Sequence, residues 1–320
     1  MVQTIVIGGG VSGLTSAIRL LENGFEVTIV TREHPQETTS AVAAAIWSGH
    51  GNNPTNQRWS RASLHVFNQM AQDESTGVVI ARFRDIYPHT VPAPWYKNDL
   101  DFCEKISLEK LPDGYVDGYL MEIPLIQTPL YMTYLLDRFH QLGGELAYRT
   151  IESISDLYGE APLLINCSGV WARYLADDER VHPLWGQVLL VHAPYLKELL
   201  MDDVAFTYIF PRRDGCVLGG VAIPDRWERE ADPDVTEDIL SRCEKLIPGI
   251  RDAEILSQKV GLRPGRDQVR LEREDVDGHV IIHNYGHGSV GFTLSWGCAE
   301  DVLLLAQGAV SDKSDVIGAS

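Results

Sequence analysis

The chain has 320 residues, of which 45 are acidic and 27 basic, and its formal net charge at pH 7 is −18. This charge argues against nucleic acid or an anionic membrane as the main partner, because both would repel the protein at long range. The length suits two domains better than one, and no apolar run approaches the length of a membrane span.

A dinucleotide-binding unit is predicted at the start of the chain. Residues 3–7 read as a buried strand, and the turn at residues 8–13 matches GxGxxG. The helix predicted at residues 12–23 carries its apolar residues on one side, and a second strand is predicted at residues 25–30. Strand, glycine turn, helix and strand therefore fall within about thirty residues, as dinucleotide binding requires.

The acidic residue that usually bonds the ribose hydroxyls at the end of the second strand is absent. Thr31 and Arg32 stand there, and Glu33 would substitute only if the loop shifted. An arginine at this place can favour a phosphorylated ribose, so the motif alone leaves NADP open. The hydroxyl cluster at residues 38–40 would suit a pyrophosphate or flavin, although an N-cap on a buried helix is the simpler interpretation.

The middle of the chain departs from this pattern. Residues 52–118 are aromatic, proline-bearing and irregular, and their later part is assigned to a second domain. The strand at residues 163–166 ends in a glycine turn, which is where open α/β sheets bind ligands. The remaining predictions are helices at 59–70, 128–142 and 236–247, and strands at 145–148, 187–192, 206–210 and 216–221.

The most informative stretch is residues 260–298, where an arginine-bearing strand leads into a glycine turn (Gly286, Gly288, Gly291) and a final helix at residues 296–307. A guanidinium fork bonds both oxygens of a carboxylate or phosphate. A glycine-lined helix start presents N–H groups to a flat or anionic ligand. The alternative is that the glycines only form turns and that the arginines at 263, 266, 270 and 273 are solvated.

Taken together, the residues resemble the D-amino-acid oxidase family of flavoproteins. The match covers nearly the whole chain and rests on IVIGGGVSGL, TTSAVAAAIW, LLINCSGVWA, WGQVLLVHAP, YIFPRRDGCVLGG, VGLRPGRDQVRLERE and HNYGHGSVGFTLSWGCAEDV. The last two segments are the specific ones. The resemblance implies FAD rather than NADP, bound noncovalently.

The fold class predicted is α/β, with a discontinuous FAD-binding Rossmann-like domain and a second α+β substrate domain on a mostly antiparallel sheet. We assign residues 1–71, 125–177 and 253–320 to the FAD-binding domain and residues 72–124 and 178–252 to the substrate domain. The implied partners are a small-molecule D-amino acid and dioxygen, with a homodimer left open. Neither nucleic acid nor a membrane is expected.

The resemblance also implies roles for single residues. Arg263 would clamp the substrate carboxylate, Tyr208 would bond the same carboxylate, and Ser289 would receive the substrate amine. From the residues alone, core packing explains Tyr208 as well. The implied FAD contacts are Gly8, Gly10, Val11, Ser12 and Gly13 at the pyrophosphate; Arg32, Thr39 and Ser40 near the ribose and phosphates; Ala45, Ile46, Gly288, Gly291, Phe292 and Thr293 at the flavin ring; and Ile151 near the adenine.

The implied activity is oxidative deamination of neutral D-amino acids to 2-oxo acids, ammonia and hydrogen peroxide, by hydride transfer to the flavin. Ser48 stands where some relatives carry glutamine, and the short segment at residues 201–207 lacks their lid loop, so we expect an open pocket. Alternatives on the same fold are a D-aspartate oxidase and a glycine oxidase. Arg212 and Arg213 would have to meet an acidic side chain, but adjacent arginines in a turn are expected to be solvated.

Two further classes stay open: an NADP-dependent reductase and a catalytically silent flavin-binding module. Five scattered cysteines without CxxC spacing argue against a metal site or a disulfide framework, and make the cytoplasm the default location. The first residues show no leader peptide. If any pair of cysteines bridges the two domains, we expect it to be Cys243 and Cys298.

Overall fold

A computed structural model describes residues 2–49 and 53–318 of the chain, with side chains described as far as residue 312. The helices within these residues are α1 (Val11–Glu22), α2 (Thr39–Val42), α3 (Pro54–Met70), α4 (Thr128–Gln141), α5 (Ala172–Leu175), α6 (Pro233–Leu246) and α7 (Gly291–Gly318). The strands are β1 (Gln3–Ile7), β2 (Glu26–Thr31), β3 (Ala45–Ile46), β4 (Val78–Tyr87), β5 (Cys103–Lys105), β6 (Asp117–Ile126), β7 (Glu145–Tyr148), β8 (Leu163–Asn166), β9 (His182–Val191), β10 (Leu199–Asp202), β11 (Thr207–Arg212), β12 (Gly215–Gly219), β13 (Ile223–Pro224), β14 (Ile255–Gly265), β15 (Arg270–Val276) and β16 (His279–Tyr285).

The first sheet confirms the predicted Rossmann-like arrangement. Its order over the described residues is β15-β16-β8-β1-β2-β7, and all neighbours are parallel except the β15–β16 hairpin. Strand β8 is buried at every position and β1 at four of its five. Such continuous burial is typical of strands whose two faces are both covered, as in parallel sheets.

Helix α1 follows β1 directly and packs against α7 and α4. Leu14 and Ile18 are fully buried on one side of the helix, and Leu20 is fully buried on another, so the helix is covered on more than one side. The chain then leaves the helix through Gly24, whose φ of +82° suits a residue without Cβ. The predicted strand–turn–helix–strand unit is therefore confirmed, with boundaries that shift by one residue.

The second sheet is mostly antiparallel, as predicted. In the described part of the chain its order is β13-β9-β12-β11-β10-β4-β6-β3, with β14 paired to β9 and β5 paired to β6. Strands β4 and β6 pair with each other over ten residues; β4 lies within the segment 52–118 that the sequence analysis described as irregular, and most of β6 follows that segment. Buried and exposed residues do not alternate regularly along either strand, so the hydrophobic pattern of the sequence did not indicate these strands. The hydrogen bonds between β4 and β6 establish them as strands.

Strand β14 departs from the predicted domain division. It lies within the segment 253–320 assigned to the FAD-binding domain, yet it pairs with β9 from His182 to Val191. The chain returns to the first sheet only at β15. Sheet membership thus places β14 with the second sheet, and the remaining domain boundaries stay a prediction.

Helix α7 begins five residues earlier than predicted, at Gly291 instead of Trp296. Glycine and threonine are poor helix formers, which hid this start in the sequence. The Trp296 indole N–H donates to the Tyr131 hydroxyl at 2.9 Å, and both side chains are fully buried. No helix of the described residues is long and apolar enough to cross a membrane.

Candidate cofactor and substrate site

Two cavities meet between the sheets. The larger, of about 400 Å³, runs from the β1–α1 turn to Arg263, and the smaller, of about 130 Å³, lies against the second sheet. Arg263, Ser289 and Phe292 line both cavities. Of the predicted residues, those lining only the larger cavity are Gly8, Gly10, Val11, Ser12, Arg32, Ser40, Ile151, Gly288 and Gly291, and those lining only the smaller are Ala45, Ile46, Tyr208 and Thr293; Thr39 lines both.

The start of α1 forms one wall of the larger cavity. Gly10 is the N-cap and makes no side-chain hydrogen bond. Because glycine has no side chain, Gly10 places nothing between the positive end of the helix dipole and the cavity. A Cβ on Gly8, which has φ +105°, would lie 2.5 Å from the Cys167 carbonyl oxygen. Gly13 was predicted to contact the cofactor but lines neither cavity, and its Cβ would lie 1.9 Å from the Gly8 oxygen. Gly13 therefore allows close helix packing.

The residues after β2 form the far end of the larger cavity. Thr31, in the place of the usual acid, is buried and donates its hydroxyl to the Glu33 carbonyl at 2.9 Å. The guanidinium of Arg32 lies 4.3 Å from the centre of the Trp171 ring, within cation–π range. Glu33 lines the cavity, and its carboxylate accepts a hydrogen bond from Arg229 at 3.0 Å.

The hydroxyl cluster combines cavity lining with structural contacts. Ser40 Oγ accepts the Val11 N–H at 3.0 Å, which supports the first turn of α1. The Thr39 hydroxyl lies 3.3 Å from both the N and the O of Leu262 on β14. These two residues therefore join the helix start and the arginine-bearing strand to the same cavity wall.

The glycine turn before α7 adopts left-handed backbone angles, with φ +83° at Gly286 and +55° at Gly288. The Gly288 N–H donates to the Pro264 carbonyl at 2.8 Å, which places the turn beside Arg263. His287 lines the larger cavity, and burial lowers its pKa to about 4. The imidazole is therefore neutral at physiological pH and adds no charge to the cavity.

Arg263 is held in a fixed position where the two cavities meet. Its Nη1 donates to the Val221 carbonyl at 2.9 Å, and the guanidinium lies against Gly186, where a Cβ would be 2.1 Å from Nη1. Among the described residues no carboxylate lies within ion-pair distance of Arg263. The three other arginines of the stretch are paired with carboxylates, with Arg266 bound to Asp178, Arg270 to Glu272 and Glu274, and Arg273 to Asp275 and Asp312.

Tyr208 lies beside Arg263 and lines the smaller cavity. Its ring covers Gly219 and Gly220, where an added Cβ would lie 2.2 Å and 2.4 Å from ring atoms, and it stacks on Phe210. Burial raises the pKa of Tyr208, while the charge and hydrogen bonding of Arg263 oppose that rise. The phenol stays protonated at physiological pH and remains a hydrogen-bond donor.

The sequence did not identify Gly186, Met201 or Phe206 as part of the smaller cavity. Glycine in a strand interior signals a close approach, which would have pointed to Gly186. Phe206 lies in the turn between β10 and β11 and faces the Arg263 guanidinium 5.8 Å from its ring centre. The turn is short, as the absence of a lid loop from residues 201–207 predicted.

The arginine pair at 212 and 213 lies outside both cavities. Arg212 pairs with Asp214 at 2.7 Å, and its side chain is only 7% exposed, so the expectation that it is solvated is wrong. Its burial is possible because Asp214 and the Thr128 hydroxyl satisfy the guanidinium. Arg213 is exposed and pairs with Glu74.

The suggested disulfide is absent, since all five cysteines are free. Cys243 and Cys298 are both buried but lie in different apolar clusters, one on α6 under the second sheet and one on α7 beside Trp59. Burial raises the pKa of both thiols. They therefore serve as apolar packing residues.

Comparison with known proteins decides the family. Residues 3–304 match the family model described as FAD dependent oxidoreductase. The chain belongs to this family. FAD is accordingly its cofactor, and the larger cavity fits it because the glycine-rich start of α1 and the glycine turn before α7 line its wall.

The relatives extend over the whole chain. A D-amino-acid oxidase of Rubrobacter xylanophilus is 43% identical over 316 residues and covers 97% of each chain. A D-amino-acid oxidase of Streptomyces coelicolor is 35% identical and covers 95% of this chain and 96% of its own. The fold is similar to that of glycine oxidase from Bacillus cereus, with a TM-score of 0.79 at 20% identity over 96% of this chain and 95% of the other.

Proposed function

We propose that the chain is a D-amino-acid oxidase that converts neutral D-amino acids to 2-oxo acids, ammonia and hydrogen peroxide. The observation that carries this proposal is Arg263, a partly buried guanidinium where two cavities meet, without a carboxylate partner among the described residues. Such a group binds a carboxylate from outside the chain. The two relatives described above, both D-amino-acid oxidases, support the same activity.

Arg263 and Tyr208 would bind the substrate carboxylate together. The guanidinium still has donors besides the Nη1–Val221 bond. The phenol donates beside it, because burial keeps its proton at physiological pH. Two groups that bond the same carboxylate fix the direction of the Cα substituents.

Ser289 would receive the substrate amine at the other end. It lines both cavities at the start of α7, on the path from Arg263 to the larger cavity. When bound, FAD supplies the acceptor for the hydride from the substrate α-carbon. Among the described residues, the smaller cavity is lined by no carboxylate, lysine or histidine, so none of these side chains offers a general base there. The substrate amine would enter in its neutral form.

The smaller cavity would take the substrate side chain. Apart from Arg263, its described lining is uncharged and includes Met201, Phe206 and Phe210. An acidic side chain would meet no second cation in the described lining, and Arg212 and Arg213 are paired elsewhere. This favours neutral, medium to large D-amino acids over D-aspartate. A cavity of about 130 Å³ also leaves room that glycine would not fill.

The proposed cofactor contacts follow the cavity lining. Gly8, Gly10, Val11 and Ser12 would hold the pyrophosphate at the start of α1, and Arg32, Thr39 and Ser40 would lie near the ribose and phosphates. Ile151 would contact the adenine. The flavin ring would lie against Ala45, Ile46, Gly288, Gly291, Phe292 and Thr293, where the cavities meet.

The proposal includes dioxygen as the final electron acceptor and a cytoplasmic location. Five free cysteines, four of them buried, support a reducing compartment.

The test is Arg263→Ala, with Arg273→Ala as the control, since Arg273 lies on β15 in the first sheet and lines neither cavity. Hydrogen bonds to a charged group contribute about 1.5–3 kcal/mol each, so loss of the fork should lower kcat/KM for D-methionine by about 10²-fold or more. FAD absorbance should stay at one equivalent in both variants. Normal kcat/KM in Arg263→Ala would contradict the proposal, since no other described cation lines the smaller cavity.

A further inference from the structure

The turn between β10 and β11 places an aromatic ring in the wall of the smaller cavity. Phe206 is the last residue of this turn and has φ +48°, a left-handed conformation that is strained for an aromatic residue. Its ring lies 6.0 Å from that of Tyr208 at an angle of 75°, and 5.8 Å from the Arg263 guanidinium. A strained residue persists only where its surroundings hold it.

Arg242 on α6 supplies that restraint. Its guanidinium donates to four acceptors around the turn: the carbonyls of Ala205 and Phe206 at 3.1 Å each, the Thr207 hydroxyl at 2.9 Å and the Gly220 carbonyl at 2.8 Å. The Gly220 N–H donates to the Phe206 carbonyl at 2.8 Å. One side chain thus connects the Phe206 turn to the glycine pair beneath Tyr208.

The opposite side of the turn is also fixed. Asp202 accepts the Ala205 N–H at 3.0 Å and the Tyr115 hydroxyl at 2.6 Å. Asp238, one turn before Arg242 on α6 and 59% exposed, accepts from Nε and Nη2 of the same guanidinium at 2.9 Å and 2.8 Å. The turn is therefore held by Arg242 and Asp202, and Asp238 helps to orient Arg242 from the surface side.

We propose that Phe206 is a fixed aromatic wall against which the side chain of the D-amino acid packs, and that Arg242 is the positioning residue that holds this wall. The inference rests on the proposed function, because it concerns the side-chain end of the same pocket. A wall fixed by four hydrogen bonds needs no opening step for product release. It selects substrates by contact area, because a larger apolar side chain gains more binding free energy from packing against the ring than a methyl group does.

The test compares D-methionine with D-alanine as substrates of four variants: Phe206→Ala, Arg242→Ala, Arg242→Lys and Asp238→Asn. Phe206→Ala should raise KM for D-methionine about tenfold and KM for D-alanine less than twofold, with kcat little changed. Arg242→Ala should shift the same KM ratio in the same direction. Arg242→Lys should recover part of the loss, because a lysine ammonium can reach some of the four acceptors.

Asp238→Asn serves as the control, since it removes the charge of the ion pair while the amide oxygen can still accept from Arg242, so the four hydrogen bonds to the turn should remain. An unchanged KM ratio in Phe206→Ala would overturn the inference, whether the two KM values stay the same or rise equally, and even if Arg242→Ala fails to fold. A wild-type enzyme that oxidises neither substrate would instead contradict the proposed function, so the two failures are distinguishable.

Discussion

A methyl group added at Gly186 should disable substrate binding while leaving the fold intact. The Cβ of Gly186→Ala would lie 2.1 Å from Arg263 Nη1 and 2.6 Å from Cζ. Ordinary contact begins at 3.4 Å, so the guanidinium must move by about 3.4 − 2.1 = 1.3 Å. The guanidinium is the free end of a flexible side chain, and alanine suits a strand at least as well as glycine. The backbone of β9 therefore need not shift.

A misplacement of about 1 Å in a substrate-positioning group can cost about 10²-fold in rate. We expect Gly186→Ala to lower kcat/KM for D-methionine by a similar factor, mainly through KM, with a change in unfolding free energy below about 1 kcal/mol. Steady-state peroxide production and urea unfolding measure the two quantities. The control is Gly308→Ala on α7, where an added Cβ meets nothing within 4 Å. A kcat/KM within twofold of the wild type would refute the role of Arg263.

Two other variants test the electrostatics. Burial raises the pKa of Asp85 from 3.8 to about 7, so the folded protein binds a proton that the unfolded chain has released. The stability should fall as pH rises from about 4 to about 7, by up to about 4 kcal/mol at 1.36 kcal/mol per pKa unit. Asp85→Asn should remove most of this slope in urea unfolding at pH 5 and 8, and an unchanged slope would contradict the raised pKa. Tyr208→Phe should raise KM for D-methionine about tenfold, for about 1.4 kcal/mol of lost hydrogen bonding; an unchanged KM would mean that Tyr208 only packs in the core.

The parts of the fold that sequence reasoning predicted are those determined by local interactions. The β1–α1–β2 unit needs a buried strand, a glycine turn and an amphipathic helix within about thirty residues, and each is visible in the chain. The glycine turn drew attention to the arginine-bearing strand, and the family resemblance singled out Arg263, whose role stays a proposal. The turn and the strand indeed meet, through the Gly288–Pro264 hydrogen bond.

The parts that were missed depend on contacts between distant segments. Strand β14 belongs to the second sheet because it pairs with β9, about 70 residues earlier, and its own sequence does not show this partner. Gly186 and Phe206 enter the smaller cavity for the same reason, since each meets Arg263 only after β9, β11 and β14 have assembled. The free state of Cys243 and Cys298 likewise follows from their burial in separate clusters.

The most direct test of the account is anaerobic mixing of the purified FAD-loaded protein with D-methionine and, separately, with L-methionine. We expect the flavin absorption band to bleach with the D-enantiomer and to persist with the L-enantiomer, because Arg263, Tyr208 and Ser289 would present the α-hydrogen of only one enantiomer. Admitting air should restore the band and release hydrogen peroxide. A band unchanged by D-methionine and a panel of other neutral D-amino acids would contradict the central claim.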